Sequence, residues 1–100
     1  MGGDVTIEID GVKRPARLTL GALAELEMRL GDEGLMPLLE RFEGGTVKSR
    51  DVLALIVAGL RGGGWDGSED DLLTAQIGGG AAGAARQAAA LLMHAFKLPQ

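Results

Sequence analysis

Apolar and polar positions alternate strictly near the start of the chain. Val5, Ile7 and Ile9 are apolar, and Asp4, Thr6, Glu8 and Asp10 stand between and around them. A period of two is that of a strand with one face buried. Asp10-Gly11 follows, a pair suited to a type I′ turn because both central residues take positive φ. From Val12 a weaker alternation runs through Arg14, Ala16 and Leu18. Pro15 has no backbone donor, which predicts an open strand edge there. Residues 4–18 are therefore predicted to form a β-hairpin.

The period then lengthens to that of helices. Thr19 can cap a helix through its hydroxyl, and Leu20, Leu23, Leu26 and Leu30 recur at helical spacing. Gly31 is expected to end this helix in the left-handed conformation, and Glu25 and Arg29 to pair along its wet side. A second helix is predicted over 35–42, with Leu35, Leu38, Leu39 and Phe42 on one face. Pro37 fits its first turn, and Gly44-Gly45 end it. Ser49 is the expected cap of a third helix, with Arg50-Asp51 in its first turn. Val52, Leu53, Ile56, Val57 and Leu60 form its stripe, widened by Leu55 and Ala58. This most hydrophobic segment is predicted to be central, and it stops at Gly62-Gly63-Gly64. Ser68 and Asp71 make a capping box of the weaker kind for a short helix over 69–76. Gly78-Gly79-Gly80 break the pattern. A last helix over 81–97 should bury Ala85, Ala88, Leu92, Ala95 and Phe96, with Pro99 closing the chain. The pattern reads as an α+β, mostly helical fold, an N-terminal β-hairpin followed by four to five short helices. It fits a single domain over 1–100, with hairpin 4–18 and helical part 19–97, and shows no internal repeat.

Composition adjusts this picture in three ways. Apolar residues make up 46% of the 100, but only three are aromatic and many are alanine. The core must rest on Leu, Ile and Val, and stability should be modest unless a partner covers part of the surface. The net charge of −4 disfavours nucleic acid, whose phosphates need clustered cations. The densest basic group, Lys13, Arg14 and Arg17, lies along a strand. Absence of cysteine excludes disulfides and thiolate metal sites and suits the cytoplasm. No apolar run reaches the ~18 residues that would span a bilayer, and the N-terminus lacks the features of a signal peptide. No membrane partner is expected. Met1-Gly2 with Thr6 meets the loose acylation pattern, but reads as a plain start or a cloning remnant.

Candidate chemistry is sparse. His94 is a lone histidine near a helix C-terminus, where it suits the dipole, and it has no second ligand at i±3 or i±4. Ser49 and Ser68 read as caps rather than nucleophiles. Glu69-Asp70-Asp71 lacks the alternating oxygen ligands of a calcium loop and suits a helix N-terminus. The glycine runs lack the GxxxxGK[ST] phosphate loop and read as helix ends and flexible connections. Leu60-Arg61-Gly62-Gly63 resembles the tail of ubiquitin-like modifiers but is internal. Trp65 reads first as a loop anchor on the core and second as a partner contact, since Trp is enriched at interface hot spots. No catalytic residue, metal ligand or cofactor is predicted, and the chain is not expected to be an enzyme.

Taken in order, these segments resemble a family. The stretch Leu18-Thr19-Leu20-Gly21-Ala22-Leu23-Ala24-Glu25-Leu26-Glu27 is similar to the opening helix of the gene transfer agent tail proteins, grouped with phage tail assembly chaperones. Arg41-Phe42-Glu43-Gly44-Gly45 and Ser49-Arg50-Asp51-Val52-Leu53-Ala54-Leu55 match the next blocks. Ala58-Gly59-Leu60-Arg61-Gly62-Gly63-Gly64 is the strongest string. The resemblance spans about 4–97 and carries no catalytic motif. It implies a non-enzymatic role in phage, prophage or gene transfer agent tail morphogenesis: a chaperone that keeps the helical tape-measure protein soluble. A structural, tube-associated component is the alternative, and an acidic carrier or adaptor module a distant one. Tail-tube subunits usually rest on a large β-sandwich, and the single hairpin here weighs toward the chaperone.

An acidic, Leu/Ala-lined helical domain suits an amphipathic helix laid in a groove. The expected contacts are Trp65 and Arg61 with the third-helix residues Leu53, Ile56 and Leu60. The expected partners are the tape-measure protein or other tail proteins, with a second copy of the chain as a further option. The expected location is the bacterial host cytoplasm, or the virion for a structural component. An acyl carrier would need Asp-Ser-Leu at a helix start, where Gly67-Ser68-Glu69 stands. A DNA-binding regulator would need exposed base-reading Arg, Lys, Asn and Gln, which the helices lack.

Overall fold

In the computed structural model, which describes residues 5–96, β1 (Val5–Ile9) pairs antiparallel with β2 (Val12–Ala16). Ile9 lies opposite Val12, and Val5 opposite Ala16. Asp10 and Gly11 both have positive φ, 50° and 84°, as the predicted turn requires. Val5, Ile7 and Ile9 are buried while Thr6 and Glu8 are exposed. On β2 only Ala16 is buried, and Val12 is exposed at the hairpin tip. The expected contributions of Asp4, Lys97 and Pro99, and the Met1-Gly2 pattern, lie outside the described residues.

α1 (Leu20–Leu30) starts at Thr19, whose Oγ1 accepts from the Ala22 N–H at 3.1 Å. It ends at Gly31, where φ is 68° and ψ −141°. The φ is positive as expected, but the conformation is not left-handed helical, and the chain continues into a 3-10 turn over Gly31–Glu33. Its buried residues are Ala22 and Leu26, while Leu20 is 84% exposed. Leu20 lies six residues from Leu26 and so on another side of the helix.

α2 (Met36–Gly44) carries Pro37 in its first turn and buries Leu38. Leu35, Leu39 and Phe42 pack around it, partly buried. Gly45 closes the helix in the left-handed region, φ 75° and ψ 19°, as C′ glycines do.

α3 (Ser49–Gly62) touches α1, α4, α5 and β2, so the predicted central helix is central. Every residue from Leu55 to Leu60 is buried. Its cap differs from expectation. Ser49 is its first helical residue, and the Asp51 carboxylate accepts from the Lys48 N–H at 2.9 Å.

α4 (Glu69–Leu72) is one turn long, starting at Ser68. The predicted extension to Gln76 is lost to the sheet. Ile77 bridges antiparallel to Ile9. The Asp10 N–H donates to the Gln76 carbonyl at 2.8 Å, and the Gly78 N–H to the Glu8 carbonyl at 2.9 Å. The Gln76 N–H in turn donates to Asp10 Oδ1 at 2.9 Å. A short extended segment thus lies along the outer edge of β1, where helix would leave those strand groups unpaired.

α5 (Gly80–Phe96) buries Gly83, Ala84, Ala88, Leu91 and Leu92. Ala88 and Leu92 match expectation. Ala85 and Ala95 are half-buried, and Phe96 is 37% exposed. Ile7, Leu26, Leu38, Leu55, Val57, Leu60, Leu91 and Leu92 are the largest fully buried side chains of one cluster that also takes in Leu72 of α4.

The predicted open edge at Pro15 is covered by the end of α3. The Arg17 N–H donates to the Gly59 carbonyl at 2.9 Å. A Cβ on Gly62 would stand 2.1 Å from the Arg17 carbonyl oxygen, and one on Gly63 2.2 Å from that of Pro15. Here glycine is needed for close backbone approach, so these two residues join helix to strand rather than loosen a connection.

Candidate functional site

The residues singled out in the sequence part into two groups. Ile56 is 2% and Leu60 0% exposed, so both belong to the chain's own core and offer no surface to a partner. Leu53 is half-buried, about 12 Å along α3 from Arg61 at 1.5 Å per residue. Arg61 and Trp65 do come together. Arg61 Nε donates to Glu25 Oε1 at 2.9 Å, and its Nη1 donates to the Gly67 carbonyl at 2.9 Å. One guanidinium thus ties α1, α3 and the Trp65 loop. The Trp65 N–H donates to the Leu60 carbonyl at 2.9 Å, and its ring packs, partly buried, against the core. A Cβ on Gly67 would lie 2.1 Å from Trp65 Cζ2, so glycine there makes room for the indole.

The expected Glu25–Arg29 pair within α1 does not form. Glu25 bonds Arg61, and Arg29 bonds Glu69 at 2.5 Å. Each side chain is recruited by a neighbouring element, which ties α1 to α3 and to α4. Asp71, in the acidic run with Glu69, accepts from the Ser68 N–H at 2.8 Å, which realises the capping reading. Among the described residues no group of His, Asp and Glu is placed to hold a metal ion. His94 lies exposed in the last turn of α5.

The strongest polar feature went unread in the sequence. Arg41 of α2 grips Asp51 of α3 through two bonds, Nε–Oδ2 at 2.8 Å and Nη2–Oδ1 at 2.9 Å. Its Nη1 reaches Glu33 Oε2 at 2.7 Å. Asp51 is buried. Burial raises its pKa, but the Arg41 bonds and the Lys48 N–H outweigh that and hold the carboxyl below its usual range. The Arg41 bonds also lower Glu33, and both carboxylates hold the guanidinium more firmly protonated. Fork-to-fork pairing of this kind fixes orientation as well as charge. It clamps the start of α3 to α2 and the 3-10 turn. Only Asp51, acidic in a first helical turn, carried a signal in the sequence, and it named no partner.

Two shallow depressions flank Arg29. One, of about 320 Å³, is lined by Arg29, Leu30, Glu33, Arg50, Asp51, Ala54 and Glu69. The other, of about 370 Å³, is lined by Glu25, Met28, Arg29, Arg61 and Ser68. In the first, Arg29 pairs with Glu69, and in the second, Arg61 pairs with Glu25, bonds that hold elements together. Leu20 and Met28, 84% and 81% exposed, stand on the outer side of α1. Among the described residues no helix is long and apolar enough to cross a membrane.

The chain matches no curated protein and no solved structure. Residues 2–98 match the family described as phage tail tube protein, GTA-gp10. That match spans nearly the whole chain, hairpin and helices alike, and the chain belongs to this family of phage and gene transfer agent tail proteins.

Proposed function

We propose that the chain is a structural, tube-associated component of the tail, built into the particle rather than released after assembly. The observation that carries this reading is the tail-tube family match over residues 2–98. The described sheet has two strands and one added bridge, not the β-sandwich expected of a tube wall, which favours a part beside the tube over the wall itself. A chaperone groove for a tape-measure helix was expected along α3, yet α3 is buried on all sides from Leu55 to Leu60. The outer elements are held by ion pairs, Arg41 with Asp51 and Glu33, Arg61 with Glu25, and Arg29 with Glu69. A preformed surface of this kind suits a subunit that meets its neighbours without rearranging. Other tail proteins are its expected partners.

Quantitative mass spectrometry of purified particles tests the proposal. A structural component is present in a fixed ratio to the other tail proteins. A chaperone accumulates in producing cells and is absent from finished particles, and that result would reject the structural reading in favour of the chaperone.

A further inference from the structure

α1 has a second apolar face that the described part of the chain leaves uncovered. Its inner residues Ala22 and Leu26 are buried. Its outer side carries Leu20, Ala24 and Met28, spaced four apart and therefore stacked in one row. Ala24 is exposed, and Leu20 and Met28 are the two most exposed large apolar side chains among the described residues. Gly21, also exposed, borders the row and lets another backbone come close. Beside Met28 lies the depression of about 370 Å³ floored by Arg29, Arg61 and Ser68, wide enough for a partner's side chain. Single apolar residues on a surface are ordinary. A row of them along one helix beside a depression marks an interaction site.

Charge selects the occupant. The cations at this surface, Arg29 and Arg61, are already paired with Glu69 and Glu25. The side chains of Glu27 and Asp32, next to the row, are exposed, and no ion pair or side-chain hydrogen bond joins them to another described residue. The border is acidic, and the chain carries a net −4. A second copy docked here would bring like charges together, which disfavours self-association. We infer that the outer face of α1 docks an amphipathic helix of another tail protein, one whose apolar stripe is flanked by Lys or Arg. The source of that helix rests on the tail reading above. Leu20 and Met28 would seat against the partner's stripe, and Glu27 and Asp32 would meet its flanking cations, so binding should weaken as salt screens them.

The test places a photo-crosslinking amino acid at position 24 of the full chain in particle-producing cells, with position 40, exposed on α2, as control. Crosslinked peptides are mapped by mass spectrometry. The expected product joins position 24 to an apolar helical segment of another tail protein with Lys or Arg beside the stripe, and position 40 gives none. Met28→Glu, confirmed folded by circular dichroism, should lower yield of that product about tenfold, the effect of losing one strong interface contact. Crosslinks to this chain itself, to an acidic or non-helical segment, or equally at both positions overturn the inference, as does no product at all. The tail reading is judged separately by presence in the particle. A chain present there but silent at position 24 defeats this inference alone.

Discussion

Gly62→Ala sets helix propensity against packing, and the structure decides the sign. Within a helix alanine is favoured over glycine by about 1 kcal/mol, so local preference predicts a more stable protein. The new Cβ, however, would stand 2.1 Å from the Arg17 carbonyl oxygen, where real Cβ contacts essentially never fall below 3.0 Å. The clashing atom is backbone, so relief requires α3 and β2 to separate by nearly an ångström. That stretches the Arg17 N–H to Gly59 carbonyl bond of 2.9 Å, worth about 1 kcal/mol net. Overpacking adds about 1–3 kcal/mol. The net expectation is a loss of about 1–3 kcal/mol, or roughly 5–20 °C in Tm for a domain of this size. Gly44→Ala is the control. It also lies at a helix end, but its Cβ would meet nothing within 4 Å, so it should gain up to about 1 kcal/mol. Thermal and urea unfolding of the two variants beside the parent measure the difference. A Gly62→Ala protein as stable as the parent, or two variants shifting the same way, would refute the argument that glycine is there for close approach.

The clamp at the start of α3 gives a second prediction. Asp51→Ala should cost about 2–4 kcal/mol in urea unfolding, because it removes a cap and both charged bonds from Arg41. Asp51 and Glu33 hold protons less readily in the folded chain, so the unfolded state binds more protons around their ordinary pKa. Stability from this clamp is then complete above the usual carboxylate range and is lost as pH falls through the folded values. Arg41→Met should flatten that acid limb, and an unchanged pH profile would count against the clamp. Glu69→Ala breaks a surface pair whose side chains are 29% and 46% exposed, and should cost under about 1 kcal/mol. Gly67→Ala must displace the indole it touches, so emission of the chain's single Trp should shift to the red. An unshifted spectrum would mean the ring does not rest on Gly67.

The parts of this fold that were legible in the sequence are those set by local periodicity. Val5, Ile7 and Ile9 showed both a strand and its buried face, and Asp10-Gly11 showed the turn. Leu38, and the α3 positions Leu55, Ile56, Val57, Ala58 and Leu60, marked burial correctly for the same reason, while Phe42, Val52 and Leu53 are only partly buried. Tertiary contacts decided the rest. Leu20 opens the same helical series as Leu23, Leu26 and Leu30 but does not share the face of Leu26, so the outer row on α1 was hidden inside an apparent core stripe. Glu25 and Arg29 satisfy a local pairing rule, yet each finds a partner on another helix. The chain leaves helix after Leu72 so that Ile77 reaches Ile9, a pairing across 68 positions that no window of neighbouring residues contains. The glycines after Leu60 looked like punctuation, because a close approach has no signature until the approaching strand is known. Of the partner residues expected on α3, Ile56 and Leu60 face inward because neighbours cover that helix on every side. Arg61 and Trp65 stay together near the surface, held by bonds within the chain.

A cryo-electron microscopy map of intact particles tests whether this chain is built into the tail. A tail component gives repeated density along or beside the tail tube that accepts the hairpin and α1–α5, with the Gly62–Gly63 junction against β2 intact. A well-resolved tail whose density is filled by other proteins, with no place for this fold, would contradict the structural reading.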